Sequence, residues 1–417
     1  MHNFIIRNRS ALYSICSLFL KLMSGPLAVL LVATKLTPEV QGVYYTFISI
    51  STIQWIFEIG FSTAIVQHLS ATKVKSHFNS YVRVAVCFFT VMSLLVFLSS
   101  QLYAQWVFAD TSKSIWLIPW LLYSLLFCLN ILNNIVPLVE EGRINAEKVY
   151  LSKLISGVAY SVSLIISLWL GAGLYSLFIS QLSMFLANVV LFKSDYSTIY
   201  FEYKSSSVKR SIAVAKSMLS FQYKLSLVWI VGYFYWNIYS VYFYKYVDAV
   251  FAGQYGATNS IINALAIAMT AWIQTKRSHL GNLVAGNKVS DTVPILKQAL
   301  YFGLFGYIII ASIFILFLKL DVLNLQHRFL VTGLVLQIAI MRLAILAHEI
   351  VFMYFRTFRD EPFYCLSILN YIITPLVVIF SHRYGTIEYC FVAAIAIQYF
   401  LIIPIYIKSK KIIMERI

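Results

Sequence analysis

The chain has 417 residues, of which 60% are hydrophobic and only 12% are charged, and its mean hydropathy is +0.80. Because soluble domains carry about 25% charged residues, this composition excludes a soluble globular protein and indicates a membrane protein. The net charge of +16 would also suit nucleic-acid binding, but the positions of the basic residues argue against nucleic acid as a partner.

Apolar runs of about 20 residues recur along the whole chain, and each is long enough to cross a hydrocarbon core of roughly 30 Å. The connections between them are short, so we expect no sizeable soluble domain. The sequence therefore predicts an all-α integral membrane protein. Its twelve predicted spans lie near residues 11–33, 43–66, 83–107, 115–139, 151–170, 173–192, 219–243, 250–272, 294–318, 329–355, 363–381 and 386–407.

Lysine and arginine residues alternate strongly between the two sets of loops that join these spans. The N-terminus, the even-numbered loops and the C-terminus hold 23 of them, whereas the odd-numbered loops hold six. The positive-inside rule then predicts that both termini lie in the cytoplasm. The basic charge is thus a signal of membrane topology.

The first two spans carry lone charges on either side of a short polar turn. Lys21 lies deep in the first span and Glu58 lies at about the same depth in the second, so they are a candidate pair. A charge at mid-span costs about 2.5–3.5 kcal/mol, and such a group usually faces water or a counter-ion. Between them, Pro38 and Gly42 predict a tight turn that acts as a hinge or gate.

This turn is echoed in the second half of the chain. A displacement of 211 residues aligns Gly42 with Gly253 and Tyr44 with Tyr255, at the starts of the second and eighth spans. The repeat predicts two pseudo-symmetric six-helix lobes, which in transporters hold the substrate between them. The predicted boundaries are 1–193 for the N-terminal lobe, 194–216 for a basic cytoplasmic linker and 217–417 for the C-terminal lobe.

The seventh span combines a lysine with many aromatic residues. Lys224 lies about one turn from the cytoplasmic boundary, so it either snorkels to the surface or faces an internal cavity. Trp229, Tyr233 and Trp236 share one helix face at spacings of three and four residues. Such a face can stack against sugars, although packing and lipid contact give the same pattern.

The tenth span carries Arg342, His348 and Glu349. Arg342 and Glu349 are seven residues apart, which places them on one helix face, two turns from each other. One interpretation is a structural ion pair. The other makes Arg342 an anion contact and Glu349 or His348 a protonation site.

Sequence motifs of hydrolases and nucleotide-binding proteins are absent. The chain has no P-loop, no G-x-S-x-G and no H-E-x-x-H, and its five cysteines show no metal-ligand spacing. We therefore predict a non-enzymatic transporter with no cofactor or metal. The candidate residues for coupling transport to H⁺ or Na⁺ are Glu58, Glu349 and His348.

Two stretches of the first half resemble a known family. The pattern L-T-P-E-x-Q-G-x-Y runs from Leu36 to Tyr44, and E-x-G-x-x-x-A-I-V-Q runs from Glu58 to Gln67. Together with G-Q-Y at Gly253–Tyr255 they resemble Wzx-type polysaccharide flippases of the multidrug/oligosaccharidyl-lipid/polysaccharide (MOP) exporter superfamily. That superfamily also holds the MATE multidrug exporters and the lipid II flippases.

The resemblance implies a flippase of a bacterial inner membrane. Its substrate would be an undecaprenyl-diphosphate-linked repeat unit of O-antigen or capsule, moved from the cytoplasmic to the periplasmic leaflet by alternating access. In this family cations line a central cavity, and the matching candidates here are Lys21, Lys224 and Arg342. A polymerase and a chain-length regulator of the same pathway are the expected protein partners.

Two alternatives remain at this stage. A multidrug exporter of the same superfamily would want an acidic cavity for cationic drugs, and here the buried bases equal or outnumber the acids. An O-antigen polymerase or ligase would carry a large periplasmic loop, and the predicted outer loops are all short.

Overall fold

The structure is a computed structural model that describes residues 9–286, 288–321, 324–358 and 361–416. The described side chains are all those in these ranges other than residues 9–12, 14, 15, 18, 21, 22, 146, 219–225, 278 and 285. Every statement below refers to this part of the chain.

The described residues form sixteen α-helices, three short 3₁₀ turns and no strand. Each of the twelve predicted spans coincides with a helix or with helices in series. The helices are α1 Arg9–Lys35, α2 Pro38–Ser51, α3 Gln54–Glu58, α4 Phe61–Ala71, α5 Lys75–Val107, α6 Lys113–Asn133, α7 Ile135–Gly142, α8 Ala146–Trp169, α9 Tyr175–Leu191, α10 Lys193–Ser205, α11 Val208–Tyr246, α12 Ala249–Ala285, α13 Thr292–Leu320, α14 Thr332–Arg356, α15 Tyr364–Tyr384 and α16 Val392–Arg416.

Many of these helices are suited to a bilayer. Within the described part of the chain, eight segments are long and apolar enough to cross a membrane, or up to ten if each of two bent helix pairs counts as one span. One bent pair consists of α2–α3 with α4, at an angle of 47°, and the other consists of α9 with α10, at 75°. The protein is therefore a multi-pass membrane protein.

The predicted polar turn starts helix α2. Thr37 is its N-cap, and the Oγ1 atom of Thr37 accepts a hydrogen bond from the Val40 amide at 3.4 Å. Pro38 is the first helical residue, where its missing N–H leaves no hydrogen bond unmade. Sequence and structure agree here because capping is a local interaction.

The predicted second span, 43–66, is broken between α3 and α4. Helix α3 ends at Glu58, and both Ile59 (φ 48°) and Gly60 (φ 73°) are left-handed before α4 begins at Phe61. Two consecutive left-handed residues cannot continue a right-handed helix. The break leaves Glu58 beside the N-terminal end of α4, where a negative charge is favoured.

Contacts divide the chain into two units. The first unit runs to Tyr233 and also contains Ser240–Ala252, and the second contains Phe234–Tyr239 and the residues from Gly253 onwards. The change from the first unit to the second falls within α11, later in the chain than the predicted linker at 194–216. That linker region forms α10 and the start of α11.

Each unit has its own apolar core. In the first, residues of α4, α5 and α7 such as Ile65, Val82 and Val139 are fully buried together. In the second, α14 is central, since 61% of its apolar span is buried, compared with 17% for the span that contains α13. Arg342 therefore lies in the most enclosed span of the second unit.

Candidate functional site

Arg342 is a buried cation with an incomplete set of partners. Its Nη2 atom lies 3.0 Å from Oε2 of Glu349. Glu349 is two turns further along the same face of α14. The guanidinium also lies over the ring of Trp236, 5.3 Å from its centroid. The Nε and Nη1 groups are buried and have no hydrogen-bond acceptor in the described part of the chain. The residue is 5% exposed, so two N–H groups of the charged guanidinium are buried away from water without hydrogen-bond acceptors.

His348 and Glu349 line a small cavity beside Arg342. Its volume is about 30 Å³, and Trp236, Asn370 and Tyr371 also line it. This space is enough for about one water molecule. The Nε2 atom of His348 is buried without a partner among the described residues, and His348 and Glu349 share this cavity lining.

A network of hydrogen bonds includes Tyr235 and Asn370, which also line this cavity. Gln398 donates to Asn370 Oδ1 (2.7 Å) and to Thr374 Oγ1 (2.8 Å), and Thr374 donates to Asn370 Oδ1 (2.7 Å). Tyr235 donates to Gln398 Oε1 at 3.4 Å. These groups bond to one another, so the network holds helices α11, α15 and α16 in register. Sequence reasoning missed it because the participants come from three distant helices.

The three aromatic residues predicted as a sugar-stacking face have different surroundings. Trp229 packs edge-on against Trp55, with 5.9 Å between ring centroids. Tyr233 is 2% exposed, and Trp236 carries the Arg342 guanidinium. Packing thus accounts for much of this face, and sugar stacking there stays a prediction.

Glu58 lies at the break between α3 and α4. The Ser62 hydroxyl donates to Glu58 Oε1 at 2.5 Å. The carboxylate also lines a polar cavity of about 330 Å³ within the first unit. Sequence analysis identified Glu58 but not this cavity.

The walls of this cavity, hereafter the amide cavity, come from α3, α5, α6, α7, α8 and α9. Its amide side chains are Gln54, Asn130, Asn134, Gln181 and Asn188. Asn130 and Asn134 are four residues apart in the predicted span at 115–139, which places them on one helix face. That spacing is the sequence signal that could have revealed the cavity.

Ion pairs near the end of α7 connect α7 and α8 to α10. Arg143 pairs with Glu140 and, at 2.6 Å, with Glu202, and Lys148 pairs with Asp195 at 2.5 Å. Desolvation alone would lower the pKa of Arg143, but the hydrogen bonds and charges of Glu202 and Glu140 outweigh it and raise that pKa. These pairs fix α10 against α7 and α8.

Two predicted cavity cations fall outside the described side chains. Lys21 belongs to α1 and Lys224 to α11, but their side chains are not among those described. In α1, the neighbouring Leu20 faces Gly157 of α8, a residue that lines the amide cavity. The roles of both lysines stay predictions.

The predicted hinge glycine Gly42 lies against another backbone. A Cβ atom added at Gly42 would collide with the carbonyl group of Ala249, at the start of α12. Gly253 is buried one turn further along α12. A glycine at position 42 is therefore required by close packing, and its function as a hinge stays a prediction.

Comparison with known proteins supplies a family model and a fold. The sequence matches the family model described as polysaccharide biosynthesis protein over residues 31–276. No curated protein matches the sequence.

Several solved structures share this fold. An inward-facing multidrug resistance MATE family transporter of the MOP superfamily has 13% identity and a TM-score of 0.67, over 97% of this chain and 98% of that one. The lipid II flippase MurJ, in an inward closed conformation, has 14% identity and a TM-score of 0.64, over 97% and 92%. A MOP superfamily transporter from Pyrococcus furiosus has 13% identity and a TM-score of 0.55, over 98% and 95%. The predicted all-α membrane fold of the MATE type is confirmed.

Proposed function

The chain belongs to the polysaccharide biosynthesis protein family, and we propose that it is a flippase for lipid-linked oligosaccharides. The substrate is an undecaprenyl-diphosphate-linked repeat unit of O-antigen or capsule. The protein moves it from the cytoplasmic to the periplasmic leaflet of a bacterial inner membrane. The likeness in fold to the flippase MurJ and the resemblance of the segments at 36–44 and 58–67 to Wzx-type flippases support this assignment.

The observation that carries the proposal is the unsatisfied guanidinium of Arg342. A diphosphate cannot enter hydrocarbon unaided, because an isolated ion there costs tens of kcal/mol. Arg342 holds two N–H donors buried without acceptors within the described chain, and guanidinium groups bind phosphate oxygens through paired hydrogen bonds. A diphosphate that reaches Arg342 accepts hydrogen bonds from these donors. These bonds offset part of the free-energy cost of removing the diphosphate from water.

Glu349 keeps this cation in place when no substrate is bound. It pairs with Nη2 of Arg342, so the diphosphate competes with a single carboxylate. Protonation of Glu349, or of His348 beside it, would release Arg342 to the substrate and couple transport to H⁺. We propose that Lys21 and Lys224 add further positive charge along the path, and that Glu58 is the alternative site for H⁺ or Na⁺.

Movement follows alternating access, with the polyprenyl tail remaining in lipid. A membrane potential that is negative inside favours export of the anionic headgroup by about 4.6 kcal/mol per 100 mV if two charges cross fully. The exported unit is then available to a polymerase and a chain-length regulator of the same pathway.

The direct test is flipping in proteoliposomes that contain the purified protein. The probe is the diphosphate-linked repeat unit that accumulates in cells lacking this gene, and its transfer between leaflets is followed with a membrane-impermeant sugar-modifying enzyme. We expect transfer well above protein-free liposomes, and a loss of at least tenfold in Arg342→Ala. Arg356→Ala is the matched control, because Arg356 lies at the end of the same helix in an exposed pair with Glu361. Transfer at the protein-free rate by the wild type would rule out the proposed function.

A further inference from the structure

The amide cavity has polar groups that the protein itself does not use. The side-chain amides of Gln54, Asn134 and Asn188 make no hydrogen bond to any described residue. Asn130 is 9% exposed, and it donates through Nδ2 to Gln181 Oε1 at 2.8 Å. Its Oδ1 atom is buried with no donor in the described chain. The cavity thus offers several donors and acceptors to an occupant.

The cavity walls hold one acid and one base, Glu58 and Lys153. Glu58 accepts the hydroxyl of Ser62, and Lys153 pairs at 3.3 Å with Glu141, which lies outside the walls. Two charges of opposite sign stand among five uncharged amides, so a charged occupant would meet one repelling group as well as one attracting group.

The wall between the amides is largely apolar, and Phe127, Pro137 and Met184 are among the residues that contribute carbon surface to it. A volume of about 330 Å³ lies at the lower end of the range of small-molecule sites, roughly 300–1,000 Å³. A dehydrated metal ion would leave most of this space empty, and a lipophilic drug would bury amides without partners.

An interrupted helix borders the cavity. Glu58 is the last residue before the break in the second span, whereas Asn134 has a right-handed helical backbone between α6 and α7, which together form one span. Interrupted helices mark substrate sites in membrane transporters, because freed polar groups need a wet cavity. Asn134 lies about 12 Å from the end of α7 at a rise of 1.5 Å per residue, the end predicted to face the cytoplasm.

We infer that the amide cavity binds a neutral sugar of the lipid-linked substrate. Amides both donate and accept hydrogen bonds, as sugar hydroxyls do, and the C–H faces of a sugar suit the intervening apolar surface. The inference rests on the proposed flippase function and adds the substrate class that this site selects. Arg342, in the second unit, serves the diphosphate, whereas the amides of the first unit serve the sugar.

The test compares two lipids on the full-length protein in nanodiscs. One is the diphosphate-linked repeat unit that accumulates in cells lacking this gene, and the other is undecaprenyl diphosphate without sugar. We expect the wild type to prefer the glycosylated lipid. Because one hydrogen bond contributes about two- to tenfold in affinity, the double variant Asn134→Ala/Asn188→Ala should lose most of this preference while its Kd for the bare lipid stays unchanged.

Two further variants separate recognition from folding. Neither Asn134 nor Asn188 is buried, so their replacement should leave the fold intact. Asn130→Ala removes a buried amide of the cavity wall and should also reduce the preference for the glycosylated lipid. Its matched control is Asn79→Ala, because Asn79 is likewise a buried amide that donates through Nδ2, to Ser205 at 2.8 Å, and has an unpartnered Oδ1 within the described chain. It does not line the cavity, and it should keep the wild-type preference.

The outcomes distinguish this inference from the function on which it rests. Equal affinity of the wild type for both lipids overturns the sugar site, even if flipping in proteoliposomes is normal. So does a preference that survives in the double variant, or one that Asn79→Ala also abolishes. A double variant that changes only the Na⁺ or pH dependence of flipping makes the cavity a coupling site and overturns the sugar site as well. Absence of both flipping and binding overturns the function and the sugar site together.

Discussion

Arg342 and Glu349 form an unequal pair. The Arg342 side chain is 6% exposed and the Glu349 side chain 25%, so the cation has lost more of its hydration than the anion. The ring of Trp236 replaces part of that hydration on one face of the guanidinium. Such a cation is well placed to gain from a second anion, which is the property that a diphosphate carrier needs.

A double variant separates the structural role of this pair from its proposed role in binding. Arg342→Ala alone leaves Glu349 without its partner, and breaking a buried pair costs about 3–5 kcal/mol. We expect Arg342→Ala/Glu349→Ala to recover most of the thermal stability in detergent while flipping stays lost. Recovery of flipping together with stability would show that the pair has a structural role only.

Charged candidate residues of a site could be predicted from the sequence more readily than uncharged amide residues. Arg342 and Glu349 stand out because a charge in an apolar span is rare and costly, and their spacing of seven residues places them on one face. Asn130 and Asn134 share one helix face but carry no charge, and Asn188 comes from α9, so the convergence of all three depends on tertiary structure. Glu140 lies just beyond the predicted span at 115–139, and tertiary contacts leave it only 3% exposed in its pair with Arg143.

At the scale of helices, the start of α2 and the start of α12 are in direct backbone contact. Gly42 packs on the Ala249 carbonyl, and nearby Lys245 pairs with Asp110 at 2.8 Å while Tyr244 bonds Thr111 at 2.9 Å. Backbone atoms cannot rotate aside as a side chain can. This contact therefore tolerates only glycine.

Two Gly→Ala variants test this contact. Gly42→Ala should lower the stability in detergent by about 1–3 kcal/mol, the cost of overpacking, and should slow flipping. Gly25→Ala in α1 has no described atom within 4 Å of the added Cβ, and we expect it to be neutral or to stabilise the helix by up to about 1 kcal/mol. Thermal unfolding of both proteins in one detergent is the measurement. If the two variants behave alike, the close contact at Gly42 does not restrict the helices.

Apolar periodicity predicts the helices but not their interruptions. The pattern at 43–66 indicates one span, whereas the chain reverses its backbone handedness at Ile59 and Gly60. Glycine is common in such conformations, but a left-handed isoleucine is strained and has no local sequence signal. Tertiary packing sets this break, so a single sequence does not reveal it.

At the scale of the whole molecule, the proposed substrate carries charge across the membrane. An imposed potential of 100 mV, negative on the side from which the substrate departs, should increase flipping in proteoliposomes, with an upper limit of about 4.6 kcal/mol for two uncompensated charges. Initial rates with and without a potassium diffusion potential provide the measurement. A rate independent of the potential would mean that cations cross with the substrate, and it would contradict uncompensated export.

Composition and hydropathy predicted the membrane fold, because both follow from the bilayer as solvent. The predicted lobes at 1–193 and 217–417 and the cytoplasmic termini stay predictions. The residues of each candidate site could be named only where a charge or an aromatic residue made them conspicuous in the sequence.

The difference in burial between α13 and α14 also determines which positions tolerate substitution. With only 17% of its span buried, α13 is constrained mainly by hydropathy. Exchanges among leucine, isoleucine and phenylalanine there should have little effect on stability. In α14, where 61% is buried, shape is constrained as well as hydropathy. Substitutions can therefore accumulate independently along α13, whereas a change in α14 requires a matching change in the residues that surround it.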